Sequence, residues 1–201
     1  MRKLILAALT AALALSLSAS LASARTGISV SPTATTLTLT NLELEGGIGT
    51  PVRCNVTMDA ALHERTSKSV GSLAGFADIA VSTGGCSEGN AGILVGGRRV
   101  TGAQGPYHVT YRSFTGTLPS ITSVTLRVNA VTFWIELPGV ADCLTNGAVN
   151  IDGSTTGGNP ATGMRVTAQN IPLTGDFLCI FSSGTMNGTG NLSSSVRMTL
   201  F

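Results

Sequence analysis

Residues 121–137 read ITSVTLRVNAVTFWIEL, the longest uninterrupted run of β-forming residues in the chain. The apolar positions are first even and then odd: Val124, Leu126 and Val128, followed by Val131, Phe133, Ile135 and Leu137. Side chains of a strand alternate between two faces, so one regular strand cannot turn both sets toward one core. The pattern predicts a hairpin that turns at Asn129 and Ala130 and pairs Leu126 with Phe133. A long strand with a β-bulge near Asn129 is the alternative, because a type I′ turn prefers Gly or Asn where Ala130 stands.

The first 24 residues have the pattern of a cleaved Sec signal peptide. Arg2 and Lys3 form a basic start, residues 4–21 are rich in Leu and Ala, and residues 22–24 read ASA, a small-residue cleavage site. Serines interrupt the apolar run, which disfavours a permanent membrane helix. We therefore expect a secreted mature chain of residues 25–201, forming one domain with no integral membrane segment.

Removal of the signal peptide changes the charge of the chain. The sequence has twelve basic residues and ten acidic ones, and loss of Arg2 and Lys3 leaves ten of each. The remaining basic residues are scattered, with Arg98 and Arg99 the one adjacent pair in the mature chain. Nucleic-acid binding usually requires a clustered basic surface, so no nucleic-acid partner is expected.

The composition of the mature chain favours an all-β protein. Thr, Ser, Val and Gly are abundant, apolar residues alternate, and no window has the 3.6-residue period of an amphipathic helix. Short predicted strands, the last two at residues 177–181 and 196–200, are separated by Gly-rich turns. Such spacing predicts a single-domain antiparallel β-sandwich, with a small closed barrel as the alternative.

Two segments carry local patterns other than a simple strand. Residues 59–66, DAALHERT, fit either a short helix capped by Asp59 or an extension of the preceding strand. Residues 152–163, DGSTTGGNPATG, lack apolar anchors and predict a mobile loop.

The four cysteines, Cys54, Cys86, Cys143 and Cys179, predict two disulfides in an exported chain. Three connectivities are possible, and we expect the sequential one, which joins Cys54 to Cys86 and Cys143 to Cys179. A four-cysteine zinc site is disfavoured because such sites usually contain closely spaced cysteine pairs.

Three phrases carry a resemblance: YHVTYRSFTGTLP at residues 107–119, VRCNVTM around Cys54, and IPLTGDFLC around Cys179. With them the chain resembles small, β-rich secreted proteins of high-GC Gram-positive bacteria that have no assigned activity. The resemblance implies secretion and a β fold, and it implies no catalytic residue.

Catalytic and metal-binding patterns are weak. The two histidines, His63 and His108, are far apart, no G-x-S-x-G motif is present, and His63-Glu64 lacks the second histidine of H-E-x-x-H. Glu43 and Glu45 share a strand face, but beside a Gly-Gly turn they predict a solvated strand edge rather than a glycosidase pair. Asn150, Asp152 and Asn159 supply too few oxygens for a convincing calcium site.

Trp134, the one tryptophan, is the misfit on the polar face of the predicted hairpin. There it would lie opposite Thr125 and near Arg127, and Trp134 with Arg127 form the candidate ligand-binding pair, because tryptophan is enriched in binding hot spots. The alternative is that a loop, the neighbouring sheet or Arg127 covers the indole.

The sequence therefore predicts a secreted, non-catalytic structural or interaction protein of the extracellular space or cell envelope, with no cofactor. A ligand-binding module for carbohydrate or another cell-surface molecule is the alternative, and a secreted hydrolase is third. An exposed cluster of aromatic residues on one sheet face would favour ligand binding. A concave pocket holding His63 or His108 beside a carboxylate would favour an enzyme.

Overall fold

The computed structural model describes residues 26–46, 51–100, 102–117, 120–180 and 183–201. The predicted signal peptide and its cleavage site lie outside these residues. Among the described residues, no helix has the length and apolar character needed to cross a membrane.

The described residues form fourteen strands and one short helical turn. The strands are β1 (Gly27–Ser31), β2 (Ala34–Glu45), β3 (Val52–Leu62), β4 (Arg65–Ser67), β5 (Leu73–Ser87), β6 (Asn90–Val95), β7 (Arg98–Val100), β8 (Gln104–Thr115), β9 (Ser123–Val131), β10 (Phe133–Leu137), β11 (Ala141–Thr145), β12 (Val149–Thr156), β13 (Ala161–Gly175) and β14 (Ser183–Leu200). The helical turn α1 (Phe177–Ile180) lies between the last two strands.

Eight of the strands close into an antiparallel barrel. Their order is β14-β2-β3-β5-β8-β9-β12-β13, and the pairing of β13 with β14 closes the ring. The all-β prediction is confirmed. The sandwich is not confirmed, and the structure fits the alternative, a small closed barrel, because the long β13 and β14 pair with each other as well as with their other neighbours.

Two smaller sheets extend the barrel. We call β11, β10, β6 and β7 the side sheet, which is joined to the barrel where β11 pairs with the end of β13. We call β1 and β4 the end cap, since β1 pairs with both β4 and the end of β14. The side sheet turns Phe133, Ile135 and Cys143 into the main hydrophobic core. A second core lies beside the end cap and contains Ile28 and Tyr111.

The predicted hairpin at Asn129 and Ala130 is wrong, and the bulge alternative is confirmed. β9 pairs with β8 and β12, whereas β10 pairs with β11 and β6. Val128 faces Ile151 and Val131 faces Val149, so β9 holds one residue more than β12 between these pairs. Ala130 accommodates the extra residue at φ 59°. One extra residue reverses the alternation, which explains the even-to-odd change of phase.

The two predicted disulfides are present with the sequential pairing. Cys54 is bonded to Cys86 and Cys143 to Cys179, and the described residues contain no free cysteine. The first bond joins directly paired positions of β3 and β5, and the second ties β11 to α1. The two disulfides are consistent with an oxidising, extracellular compartment.

Four local predictions can now be assessed. Residues 59–62 continue β3, so the strand alternative for residues 59–66 fits better than the helix. Residues 152–163 are not a long loop, because β12 and β13 pair through most of this segment. Residues 177–180 form a helical turn rather than a strand. Glu43 and Glu45 lie on β2, which has a partner on both sides and is therefore not an edge.

Candidate functional site

The candidate site lies where the barrel passes into the side sheet. The first half of β13 pairs with β12 up to Thr167, and its end pairs with β11 from Leu173. Between these ladders β13 bulges, and Asn170 takes a left-handed φ of 52°. Residues 146–148, which connect β11 to β12, bridge this gap. A bulge between two diverging partners leaves a recess in the sheet surface.

This recess, which we call the polar cleft, has a volume of about 400 Å³. Six polar residues contribute to its lining: Arg127, Asn150, Asp152, Thr167, Gln169 and Asn170. A volume of this size is in the usual range for small-molecule sites. The cleft therefore contains one of the two residues that the sequence analysis proposed for ligand binding.

An ion pair fixes one wall of the polar cleft. Arg127 Nε donates to Asp152 Oδ1 at 2.6 Å, and Arg127 Nη2 donates to Asp152 Oδ2 at 2.7 Å. The side chains are 24% and 35% exposed, so both are held in place yet accessible. The hydrogen bond to Asp152 raises the pKa of Arg127, although partial burial acts in the opposite direction. Arg127 is thus a permanent cation.

The ion pair retains hydrogen-bonding capacity. A guanidinium has five N–H groups, and two of those of Arg127 are used by Asp152. Each carboxylate oxygen of Asp152 has a second lone pair. The exposed amides of Gln169 and Asn170 can both donate and accept. The cleft can therefore form several hydrogen bonds to a ligand that carries neighbouring hydroxyl groups.

Trp134 lies apart from the polar cleft, on the side sheet. It pairs with Leu144 and Gly92, not with Thr125, because β10 leaves the barrel. The indole is 9% exposed, and the Arg99 guanidinium lies 4.5 Å from the ring centroid. The prediction that an arginine covers the ring is correct in kind, but the residue is Arg99 instead of Arg127.

Arg99 is itself held over the indole by acidic neighbours. It forms ion pairs with Asp142 and with Glu136, the latter at 3.7 Å. Trp134 Nε1 is buried and has no hydrogen-bond partner in the described structure. The hairpin of β6 and β7 carries Arg99, one member of the adjacent basic pair, to Trp134. This contact depends on the pairing of β6 with β10, which the local sequence did not indicate.

The two histidines considered as catalytic residues lie on either side of Phe76. Neither His63 nor His108 lines the polar cleft or the apolar cavities of the interior. Phe76 lies between them on the barrel, with ring centroids 6.1 Å from His63 and 5.3 Å from His108. No group of three or more His, Cys, Asp or Glu residues in the described part of the chain is placed to hold a metal ion.

The other candidate residues are engaged in the barrel surface. Glu43 accepts a hydrogen bond from Arg53 Nε at 3.0 Å across the paired strands β2 and β3. Asn159 binds the backbone of Met198 through both ends of its amide, at 2.6 and 2.9 Å. Asp152 is paired with Arg127, and Asn150 Oδ1 accepts a hydrogen bond from the Ala130 N–H at 3.3 Å, so each residue considered for calcium has a protein partner.

No sequence pattern identified Thr167, Gln169 and Asn170 as site residues. They reach the cleft because β13 changes partners, which is a long-range property of the fold.

Comparisons with protein-family models, curated proteins and solved structures found no match.

Proposed function

We propose that the protein is a secreted, non-catalytic binding protein of the extracellular space or cell envelope. In this proposal the polar cleft binds a carbohydrate. The observation that carries it is the accessible Arg127–Asp152 pair inside a recess of about 400 Å³. The predicted signal peptide and the resemblance to secreted bacterial proteins support the location.

The chemistry of the polar cleft favours carbohydrate over an ionic ligand. Asp152 neutralises Arg127, so the cleft has no uncompensated charge in this pair to select an anion or a cation. Sugars instead present adjacent hydroxyls, each able to donate and accept, which match a lining of guanidinium, carboxylate and amide groups. No aromatic residue lines the cleft in the described structure, so recognition would rest on hydrogen bonds rather than stacking.

A glycan array that includes bacterial cell-wall saccharides tests the proposal. The mature protein should bind a defined subset of glycans, and calorimetry with the best soluble glycan should give a saturable isotherm. Arg127→Ala and Gln169→Ala should each weaken binding about fivefold or more, as expected for loss of a hydrogen bond of about 1 kcal/mol.

Arg165→Ala is the matched control. Arg165 is an exposed arginine of β13, two residues from Thr167, and it does not line the polar cleft. Gln169→Ala also separates binding from folding, because Gln169 is exposed and its side chain does not take part in the ion pair. Absence of binding across the array would refute the proposal, as would binding that Arg127→Ala and Gln169→Ala leave unchanged.

A further inference from the structure

Three apolar cavities lie next to one another in the interior of the described part of the chain. The first, beside the end cap, has a volume of about 40 Å³, the second about 50 Å³ and the third about 30 Å³. The first and second share the lining residues Thr35, Leu126, Met164 and Leu192. The second and third share Met58 and Ile151. A few side chains thus separate each cavity from the next.

Methionines line all three cavities. Met198 borders the first, Met164 the first and second, Met58 the second and third, and Met186 the third. These are four of the five methionines in the sequence, the fifth being the initiator. A methionine side chain is unbranched and has three rotatable bonds, so it adapts to differently shaped neighbours. The walls between the cavities are therefore deformable.

The first cavity also has an unsatisfied polar group. Thr66 lines it from β4 and is 7% exposed, and its Oγ1 is buried without a hydrogen-bond partner in the described structure. Thr155, which lines the same cavity, differs because its Oγ1 accepts a hydrogen bond from the Val124 N–H at 2.9 Å. Buried hydroxyls normally have partners, so the exception at Thr66 points to a missing one.

We propose that the first cavity is a binding site for a small aliphatic molecule with a single hydroxyl or carbonyl group. The polar group of the ligand forms a hydrogen bond with Thr66 Oγ1, and the aliphatic chain occupies the first cavity. The chain extends toward the second cavity as Met164 and Leu126 change rotamer. This site is separate from the polar cleft, with which it shares no lining residue.

The cavity volumes limit the size of the ligand. An apolar cavity of about 150 Å³ binds benzene, and the first cavity, at about 40 Å³, is much smaller. Binding therefore requires the first and second cavities to merge, which favours a short, flexible chain over a ring or a long fatty acid. Ile28 and Val30 of β1 line the first cavity, which places it beside the end cap.

Methionine methyl NMR tests the proposal directly. The mature protein, labelled with ¹³C at the methionine methyl groups, is titrated with linear primary alcohols from propanol to pentanol and with alkanes of matched length. Alcohol binding should shift the Met198 and Met164 signals saturably, and the Met186 signal should move least. Leucine substitutions of single methionines assign the signals. Absence of a saturable shift, or equal shifts of all four methyls, would overturn the proposal.

Substitutions at Thr66 test the polar contact. Thr66→Val keeps the shape of the side chain and should weaken alcohol binding about fivefold while leaving alkane binding unchanged. Thr66→Ser retains the hydroxyl and should retain the preference for alcohol. Thr199→Val, at an exposed threonine of β14, is the matched control. Alcohol binding that is equally tight in Thr66→Val and the unsubstituted protein would refute the assigned hydrogen bond.

Discussion

Replacing Phe133 by Ala tests the inference that β10, a strand of the side sheet, faces the core. Phe133 is 5% exposed and pairs with Ile93 of β6, and its N–H donates to Thr145 Oγ1 at 3.1 Å. It also borders the third apolar cavity. The strand is held on both sides, so its neighbours have little freedom to collapse into the space that the ring leaves.

The expected cost follows from two contributions. Loss of the buried ring forfeits about 2 kcal/mol of transfer free energy. A residual cavity of about 80 Å³ adds about 2 kcal/mol, at about 24 cal/mol per Å³. The free energy of unfolding should therefore fall by about 4 kcal/mol, within the range of about 3–5 kcal/mol for buried phenylalanine truncations.

Urea denaturation followed by far-ultraviolet circular dichroism measures this loss without relying on Trp134, the neighbouring residue. Phe177→Ala is the matched control, because Phe177 is 73% exposed and its truncation should cost less than about 1 kcal/mol. Both variants are measured without reductant, so that the disulfides stay oxidised. A loss below about 1 kcal/mol for Phe133→Ala, or equal losses in the two variants, would refute the inward orientation of β10.

Three further predictions concern the bulge, the indole and the tyrosines. Ala130→Gly should raise the free energy of unfolding by about 0.5–1 kcal/mol, measured by urea denaturation, because φ is 59° at Ala130 and glycine adopts such values without strain. Because Trp134 is buried, its fluorescence emission should be blue-shifted and poorly quenched by acrylamide. Gly92→Ala should shift the emission to the red, because a Cβ at residue 92 would lie 2.8 Å from Trp134 Nε1 and displace the indole. Burial raises the pKa of Tyr107 and Tyr111. Their neutral forms are favoured in the folded state, so the free energy of unfolding should fall as pH rises above about 10, where tyrosine in the unfolded chain ionises. Absorbance titration of folded and denatured protein should show that the tyrosines ionise at higher pH in the folded state.

Local alternation in the sequence predicted part of the buried set. Val124, Val131, Phe133 and Ile135 are buried. Leu126 and Val128 are only partly buried, and Trp134, which the alternation placed on the polar face, is buried. The same alternation could not distinguish a hairpin from a bulge, because either one brings both phases to the core. The difference lies in the strand partners, and these depend on the register of β12 along β9.

The candidate site was less accessible to sequence reasoning than the core. Arg127 was identified as a candidate through its expected proximity to Trp134, and this proximity depended on the hairpin that does not form. Arg127 nevertheless lines the polar cleft, because its cross-strand partner is Asp152. The alternation of the sequence assigned each residue to one face of its strand, but it could not identify the residue beside it on the next strand. A binding site on a sheet surface is composed of such neighbours.

The polar cleft and the side sheet have a common structural origin in two bulges that flank β12. One bulge is in β9, where the Ala130 N–H donates to Asn150 Oδ1 at 3.3 Å, and the other is in β13 at residues 168–171. Bulges bend strands and increase their twist, so two of them beside one strand turn the sheet away from the barrel. The bend keeps Phe133 directed at the core, and it opens the gap that Asn150 and Asn170 border. Loss of the bulge in β9 would restore the regular alternation of side chains and turn Phe133 away from the core. Loss of the bulge in β13 would remove the irregularity at Asn170 that borders the cleft.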